Sequence, residues 1–185
     1  MKFVIAKALD EIEAITADAH DLLDPLNDEQ FNWRPEAKRW SIGQCIGHLN
    51  LVGEMFDTAF KETLARAREE GLTGSGPYPP GPLGSFFLWV MEPPVRMGVK
   101  APENALPRER VDLETARALF FEIQERWLET YKRADGVNLR KAKLHSPLRG
   151  TLALSMSAWL PAMVSHERRH LWQARQVRQR PGFPA

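Results

Sequence analysis

Residues 155–178 read SMSAWLPAMVSHERRHLWQARQVR, and this stretch decides how the rest of the chain is interpreted. Its pattern predicts a helix over the whole stretch. Within that helix His166 and His170 are four residues apart, so their imidazoles lie one turn apart on the same face and can reach a single ion. Pro161 falls in the first turns and predicts either a kink or a later start of the helix.

Taken literally, residues 166–170 match the H-E-x-x-H helix of zinc metallopeptidases, in which the glutamate is the general base. Three features argue against that class. Both middle positions are arginine, and no His, Asp or Glu follows His170 to act as a downstream third ligand. No stretch has the alternation expected of the sheet that those enzymes build above the helix. A third ligand therefore has to come from upstream of residue 166.

Three further stretches carry apolar residues at spacings of three and four, which predicts amphipathic helices. They are residues 5–25, 41–70 and 112–136, and the last two begin with good N-cap residues, Ser41 and Asp112. The polar segment FNWRPEAKRW (31–40) is predicted to connect the first two helices. The basic segment NLRKAKLHSPLRG (138–150) is predicted to be the linker to the last one.

Residues 71–107 differ in composition from the rest of the chain. They hold 8 of the 14 prolines and 6 of the 12 glycines, so a long regular element cannot run through them. The apolar island SFFLWVMEPPVRM (85–97) predicts a short helix that returns to the body of the protein. A segment of this kind is either a wall or lid over a site or a solvent-exposed insertion. Phe86, Phe87 and Trp89 are its candidates for roofing a site.

The predicted fold class is therefore all-α: one four-helix bundle domain over residues 1–185, with residues 71–107 inserted between helices 2 and 3. The chain has 25 Lys and Arg and 24 Asp and Glu, so it is almost neutral overall. It has no large net positive charge that would favour nucleic acid or a membrane surface as partner. A single cysteine, the absence of a signal-peptide pattern and the lack of a long apolar run predict a cytoplasmic protein.

Three histidines remain as candidates for the third ligand. His48 lies in the apolar stripe of the second helix, which can face the last helix across a bundle core. His20 lies near a helix end, and His145 lies in the basic linker. Cys45 precedes His48 by three residues and could reach the same ion, although a small core thiol is the simpler interpretation. His48 is the favoured third ligand.

The sequence resembles the DinB-like, or YfiT-like, superfamily of metal-binding four-helix bundles. The matching segments are FNWRP at 31–35, WSIGQCIGHL at 40–49, LRGTL at 148–152 and HERRH with the glutamine that follows at 166–173. The resemblance covers the chain apart from residues 71–107. It implies that His48, His166 and His170 bind one divalent metal, typically nickel or zinc. Imidazole ligands would also accept Fe, Mn or Co.

The resemblance also implies a function. Relatives include transferases and isomerases that use low-molecular-weight thiols such as bacillithiol or mycothiol, and proteins assigned as hydrolases. The first hypothesis is a metal-dependent enzyme with a small-molecule substrate, possessing an open coordination position for a thiol or water. The second is a metal-binding protein of stress response or detoxification without turnover. Relatives are often dimers, which implies a homodimer.

Glu167 is the candidate catalytic residue, because it flanks the face that carries His166 and His170. It could act as a general base, or it could pair with an arginine of a neighbouring helix. Gln173 could hydrogen-bond a ligand. Trp33 and Trp40 could be pocket walls or aromatic packing at the bundle end. The arginines of the last helix could attract an anionic substrate, line a dimer contact or form a solvated face; they are Arg168, Arg169, Arg175 and Arg178.

Overall fold

The computed structural model describes residues 2–185, and most of them are helical. The helices are α1 (Ile5–Leu23), α2 (Asp28–Asn32), α3 (Ile42–Glu69), α4 (Gly81–Met91), α5 (Leu113–Lys132) and α6 (Met156–Arg178). One turn of 3₁₀ helix lies at Glu103–Ala105. Two short strands, β1 (Lys143–His145) and β2 (Ala153–Ser155), pair antiparallel. The predicted predominance of α-helix is confirmed.

The long helices begin where the sequence places their N-caps. The Ser41 hydroxyl accepts the backbone N–H of Gln44, and the Gln44 side chain accepts the N–H of Ser41 in return. Asp112 accepts the backbone N–H of Thr115 in the same way at the start of α5. These bonds satisfy N–H groups that have no partner inside the helix, so each cap fixes where its helix begins.

Helices α1 and α3 each pack against both α5 and α6, and their apolar faces meet in one buried cluster. Large aromatic side chains fill its centre, among them Phe60, Trp127 and Trp159. The approach of α3 to α5 is close at Gly53, where a Cβ atom would lie 2.9 Å from Cγ2 of Ile123. Among residues 2–185, no helix combines the length and apolar character needed to cross a membrane.

Helix α2, the 3₁₀ turn and the two-stranded sheet were not predicted from the sequence. Helix α2 occupies five residues and overlaps the first two residues of the predicted connection, and a capping box between Asn27 and Gln30 stabilises its first turn. The expectation that no sheet occurs is wrong, because the predicted basic linker contains β1 and the approach to α6 contains β2. Strands of three residues are too short to produce a recognisable alternation.

Two details of the predicted helices also change. The short helix of the 71–107 segment starts at Gly81, four residues before the apolar island, and ends at Met91, ahead of the Pro93–Pro94 pair. In the last helix Pro161 is an interior residue, because α6 begins at Met156. The alternative that Pro161 marks the start of that helix is wrong.

Helix α4 packs on α6 through a contact that leaves no room for a side chain at Gly84. A Cβ atom there would lie 2.6 Å from Cβ of Ala158, which is fixed to the α6 backbone and cannot rotate away. We expect Gly84→Ala to lower the free energy of unfolding by about 1–3 kcal/mol through overpacking. This cost outweighs the gain in helix propensity of about 1 kcal/mol.

Urea denaturation followed by circular dichroism measures this change. Ser85→Ala is the matched control, since Ser85 is exposed on the same helix and should change stability by no more than about 0.5 kcal/mol. Equal stability of the Gly84→Ala variant and the wild type would contradict the close α4–α6 contact.

Candidate metal centre

Helices α3 and α6 bring His48, His166 and His170 together. One ring nitrogen from each lies within 4.8 Å of the other two, and Nε2 of His48 is 3.2 Å from Nε2 of His166. Two imidazole nitrogens on a tetrahedral zinc ion, each about 2.0–2.1 Å from it, lie about 3.3 Å apart. The spacing of the pair is therefore that of two ligands of one ion.

The remaining histidines lie outside this cluster. His20 is exposed, contacts Asp24 through Nδ1 and stacks on Phe121. His145 is exposed in β1, and its Nδ1 bonds to the carbonyl of Gly150. Of the three upstream candidates, only His48 faces the α6 pair.

A backbone carbonyl orients His48. Its Nδ1 lies 2.7 Å from the carbonyl oxygen of Ala105, a buried residue in the 3₁₀ turn of the 71–107 segment. A carbonyl can only accept, so Nδ1 carries the proton and Nε2 presents a lone pair toward His166. Metal-binding histidines commonly have such a partner on the second nitrogen. The sequence offered no signal for this contact, because a backbone carbonyl carries no residue signature.

Burial keeps the three imidazoles neutral. It lowers the pKa of His48, although the bond to Ala105 partly opposes the shift. The pKa values of His166 and His170 lie well below the ordinary histidine value, first because of burial, and then because a proton on either ring would be repelled by Arg169 and by a proton on a neighbouring histidine. Neutral imidazole is the form that binds a metal ion, so the cluster has the donor chemistry of a metal site.

Trp40 covers one side of the histidines. Its ring centroid lies 5.1 Å from that of His48 and 5.7 Å from that of His170, so it limits the access of water. Trp33 packs edge-on against Phe183 and does not contact the histidines. Of the two tryptophans considered as pocket walls, only Trp40 lines the cavity described next.

A cavity of about 790 Å³ opens beside His48, His166 and His170. Its walls come from α3, from α6, from the stretches 35–40 and 146–152, and from the 71–107 segment, which contributes Phe87, Met91, Val95 and the stretch 98–102. This volume falls within the range of about 300–1,000 Å³ typical of small-molecule sites. Gln173 also lines the cavity, one turn beyond His170. The 71–107 segment thus acts as a wall of the cavity.

Of the three residues predicted as candidates for roofing a site, two lie on the exposed face of α4, so the prediction is wrong for these two. Phe86 and Trp89 are 55% and 49% exposed and stack on each other outside the cavity, with the Arg96 guanidinium over Trp89. Phe87 points the other way and packs edge-on against Trp159. A helix turns about 100° per residue, so neighbouring residues cannot all face one site.

Glu167 lies on the α5 side of α6. Its Oε1 accepts a hydrogen bond of 2.8 Å from the Gln124 side chain, and burial raises its pKa to about 8. It forms no ion pair with an arginine within the described chain, so the expected arginine partner is replaced by a glutamine. Glu167 does not line the cavity.

The other candidates have structural partners. Cys45 is fully buried and stands apart from the histidine cluster, and burial raises the pKa of its thiol. Arg168 binds Glu92 at 2.7 Å and Glu11 at 3.1 Å, while Arg175 pairs with Asp18. Arg169 differs from these two arginines, because it is buried and lines the cavity.

Comparison with known proteins adds one match. A family model described as the DinB superfamily matches residues 11–174, which is most of the chain. Neither the curated proteins nor the solved structures yield a significant match.

Phe87→Ala should affect the cavity wall, whereas Phe86→Ala should not. We expect the first variant to lose about 1–3 kcal/mol of stability, less than for a fully buried phenylalanine, because Phe87 is only partly buried. The Phe86→Ala control should stay within about 0.5 kcal/mol of the wild type, because Phe86 is exposed. Urea denaturation measures both, and equal losses would show that the face of α4 is assigned wrongly.

Proposed function

The chain belongs to the DinB superfamily, and on this basis we propose that it is a metal-dependent enzyme whose divalent transition metal is held by His48, His166 and His170. The observation that carries the proposal is the histidine cluster itself, placed at the inner wall of a cavity of about 790 Å³. Nickel and zinc are the proposed metals, with Fe, Mn and Co also compatible with imidazole ligands.

The same proposal extends to the fold. We propose that α1, α3, α5 and α6 form the four-helix bundle of the superfamily within one domain, with residues 71–107 inserted between α3 and α5. The packing of α1 and α3 against both α5 and α6 supports this arrangement.

When bound, the metal would supply Lewis-acid activation of a thiol or of water. The chain contributes the surroundings in which such a group reacts. The Ala105 carbonyl holds His48 in one tautomer, Trp40 limits water on one side, and the cavity walls orient a small-molecule substrate. The proposed reactions are thiol-dependent transfer, with a low-molecular-weight thiol as cosubstrate, or hydrolysis.

A metal-binding protein without turnover is the alternative. Such a protein would be expected to complete the coordination with a fourth side chain or to hold the ion at an open surface. Within residues 2–185, no Cys, Asp or Glu joins the three histidines, and a cavity adjoins them. Both observations support the enzyme. A general-base role for Glu167 is left out of the proposal, because its carboxyl group bonds to Gln124 and lies outside the cavity.

Metal content tests the proposal directly. We expect untagged wild-type protein to carry about one equivalent of a transition metal by elemental mass spectrometry, as three imidazoles and an open position require. His48→Ala and His170→Ala should each weaken binding by more than about 100-fold, since loss of an outer-shell partner alone costs 10–100-fold. His20→Ala is the control, as an exposed histidine outside the cluster. A wild type that is empty and refuses added zinc, nickel and manganese would refute the proposal.

Thermal stability separates the thiol-dependent reaction from the others. A thiol that binds the metal-loaded protein at 100 times its Kd should stabilise it by about 2.7 kcal/mol. For a chain of this size that corresponds to a rise in Tm of about 5–10 °C. The disulfide form of the same thiol is the control. If bacillithiol, mycothiol, glutathione and cysteine all leave the Tm unchanged, the transferase version is wrong and hydrolysis remains.

A further inference from the structure

The charged residues that line the cavity have one sign. They are Lys38, Arg39, Lys100, Arg149, Arg169 and Arg180, and within the described residues the lining contains no Asp or Glu. The chain as a whole has 25 basic and 24 acidic residues, so this bias does not follow from composition. Clefts lined by one sign of charge raise the local concentration of ligands of the opposite sign.

Arg169 is the member of this set that lies next to the histidines. It is only 6% exposed, and its two terminal nitrogens donate to the carbonyls of Val90 and Met97 at 2.7 Å each. Within residues 2–185 it has no carboxylate partner, in contrast to Arg168, which binds Glu92 and Glu11. A guanidinium has five N–H donors, so some donor capacity remains for a ligand.

A buried positive charge without an anionic partner is costly, because burial removes its hydration. The two carbonyls satisfy part of its hydrogen-bonding capacity but bring no negative charge. A divalent metal on three neutral histidines would add two further positive charges beside Arg169. An anionic ligand in the cavity would offset the charge of Arg169 and that of the metal. Charge-assisted hydrogen bonds from arginine to a carboxylate or phosphate are strong and directional.

The inner walls of the cavity are apolar. Phe56, Met91, Trp159 and Met163 are buried there, and Phe87 is half-buried. The other five basic residues of the lining are exposed to solvent and so lie toward the rim. The cavity therefore combines one buried cation, an apolar interior and a basic entrance.

We propose that the substrate of this site is an amphipathic organic anion, with its carboxylate or phosphate group paired to Arg169 and its apolar body along Phe87, Met91 and Trp159. The inference rests on the proposed function, because it names the substrate class of the same site. The preference for anions comes from charged side chains of the protein itself, so we expect the metal-free protein to have the same preference.

The test compares four ten-carbon probes by isothermal titration calorimetry: decanoate, decyl phosphate, decanol and decylammonium. We expect at least one of the two anions to bind at least 10-fold more tightly than decanol, and decylammonium to bind most weakly. The stronger of the two anions identifies the preferred head group. Measurements on metal-free protein isolate Arg169 from the metal, and measurements on zinc-loaded protein show what the metal adds.

Two variants test whether Arg169 is the source of the preference for anions. Arg169→Met should bind the anions at least 10-fold more weakly and decanol unchanged, so that decanol reports an intact cavity. Arg169→Lys should keep part of the preference for anions, because it keeps the charge. Arg178→Gln is the control, since Arg178 is exposed on α6 outside the cavity and should leave all four affinities unchanged.

The comparison of probes on wild-type protein does not depend on whether an Arg169 variant folds. Equal affinity for decanoate, decyl phosphate and decanol, preference for decylammonium, or no binding of any probe would overturn the inference. An anion preference that persists in Arg169→Met would also overturn the role given to Arg169. A protein that selects anions but binds no metal would refute the proposed enzyme while leaving this selectivity established, so the two failures are distinguishable.

Discussion

The packing of α3 against α6 is the contact on which the site depends. It brings His48 to within 3.2 Å of His166, which is 118 residues away in the sequence. Because each imidazole loses hydration in this contact, all three remain neutral, and neutral imidazoles are both tolerated in a core and able to bind a metal. The same burial that stabilises the helix pair therefore produces the donor set.

The 71–107 segment is integrated with that contact. Its Ala105 carbonyl orients His48, and its helix α4 packs on α6 at Gly84. Two arginines of the HERRH stretch hold the segment from the other side: Arg168 through Glu92, and Arg169 through two backbone carbonyls. Arg168 and Arg169, whose presence in the motif argues against a metallopeptidase, thus attach the 71–107 segment to α6. One turn of α6 therefore carries both the two histidines of the metal site and the two arginines that bind the 71–107 segment.

Charge is distributed unevenly around this turn. Arg168 is neutralised by two carboxylates, whereas Arg169 faces the cavity without one. The only acid of the HERRH stretch, Glu167, is directed to Gln124 on α5. The cavity is consequently positive at Arg169 and along its rim, and apolar between them. Such an arrangement favours ligands that carry their negative charge at one end.

Much of this protein is determined by sequence alone, because helical periodicity and capping act within a few residues. The starts and approximate lengths of α1, α3, α5 and α6, and the placement of His166 and His170 one turn apart, follow from local spacing. The sequence also favoured His48 over His20 and His145 as the third histidine, and the structure places it beside that pair. Only the tertiary structure decided that Ala105 orients His48 and that Phe87 rather than Phe86 lines the cavity. These outcomes depend on how distant segments pack, and hydrophobic packing is non-directional, so a local pattern cannot specify the partner.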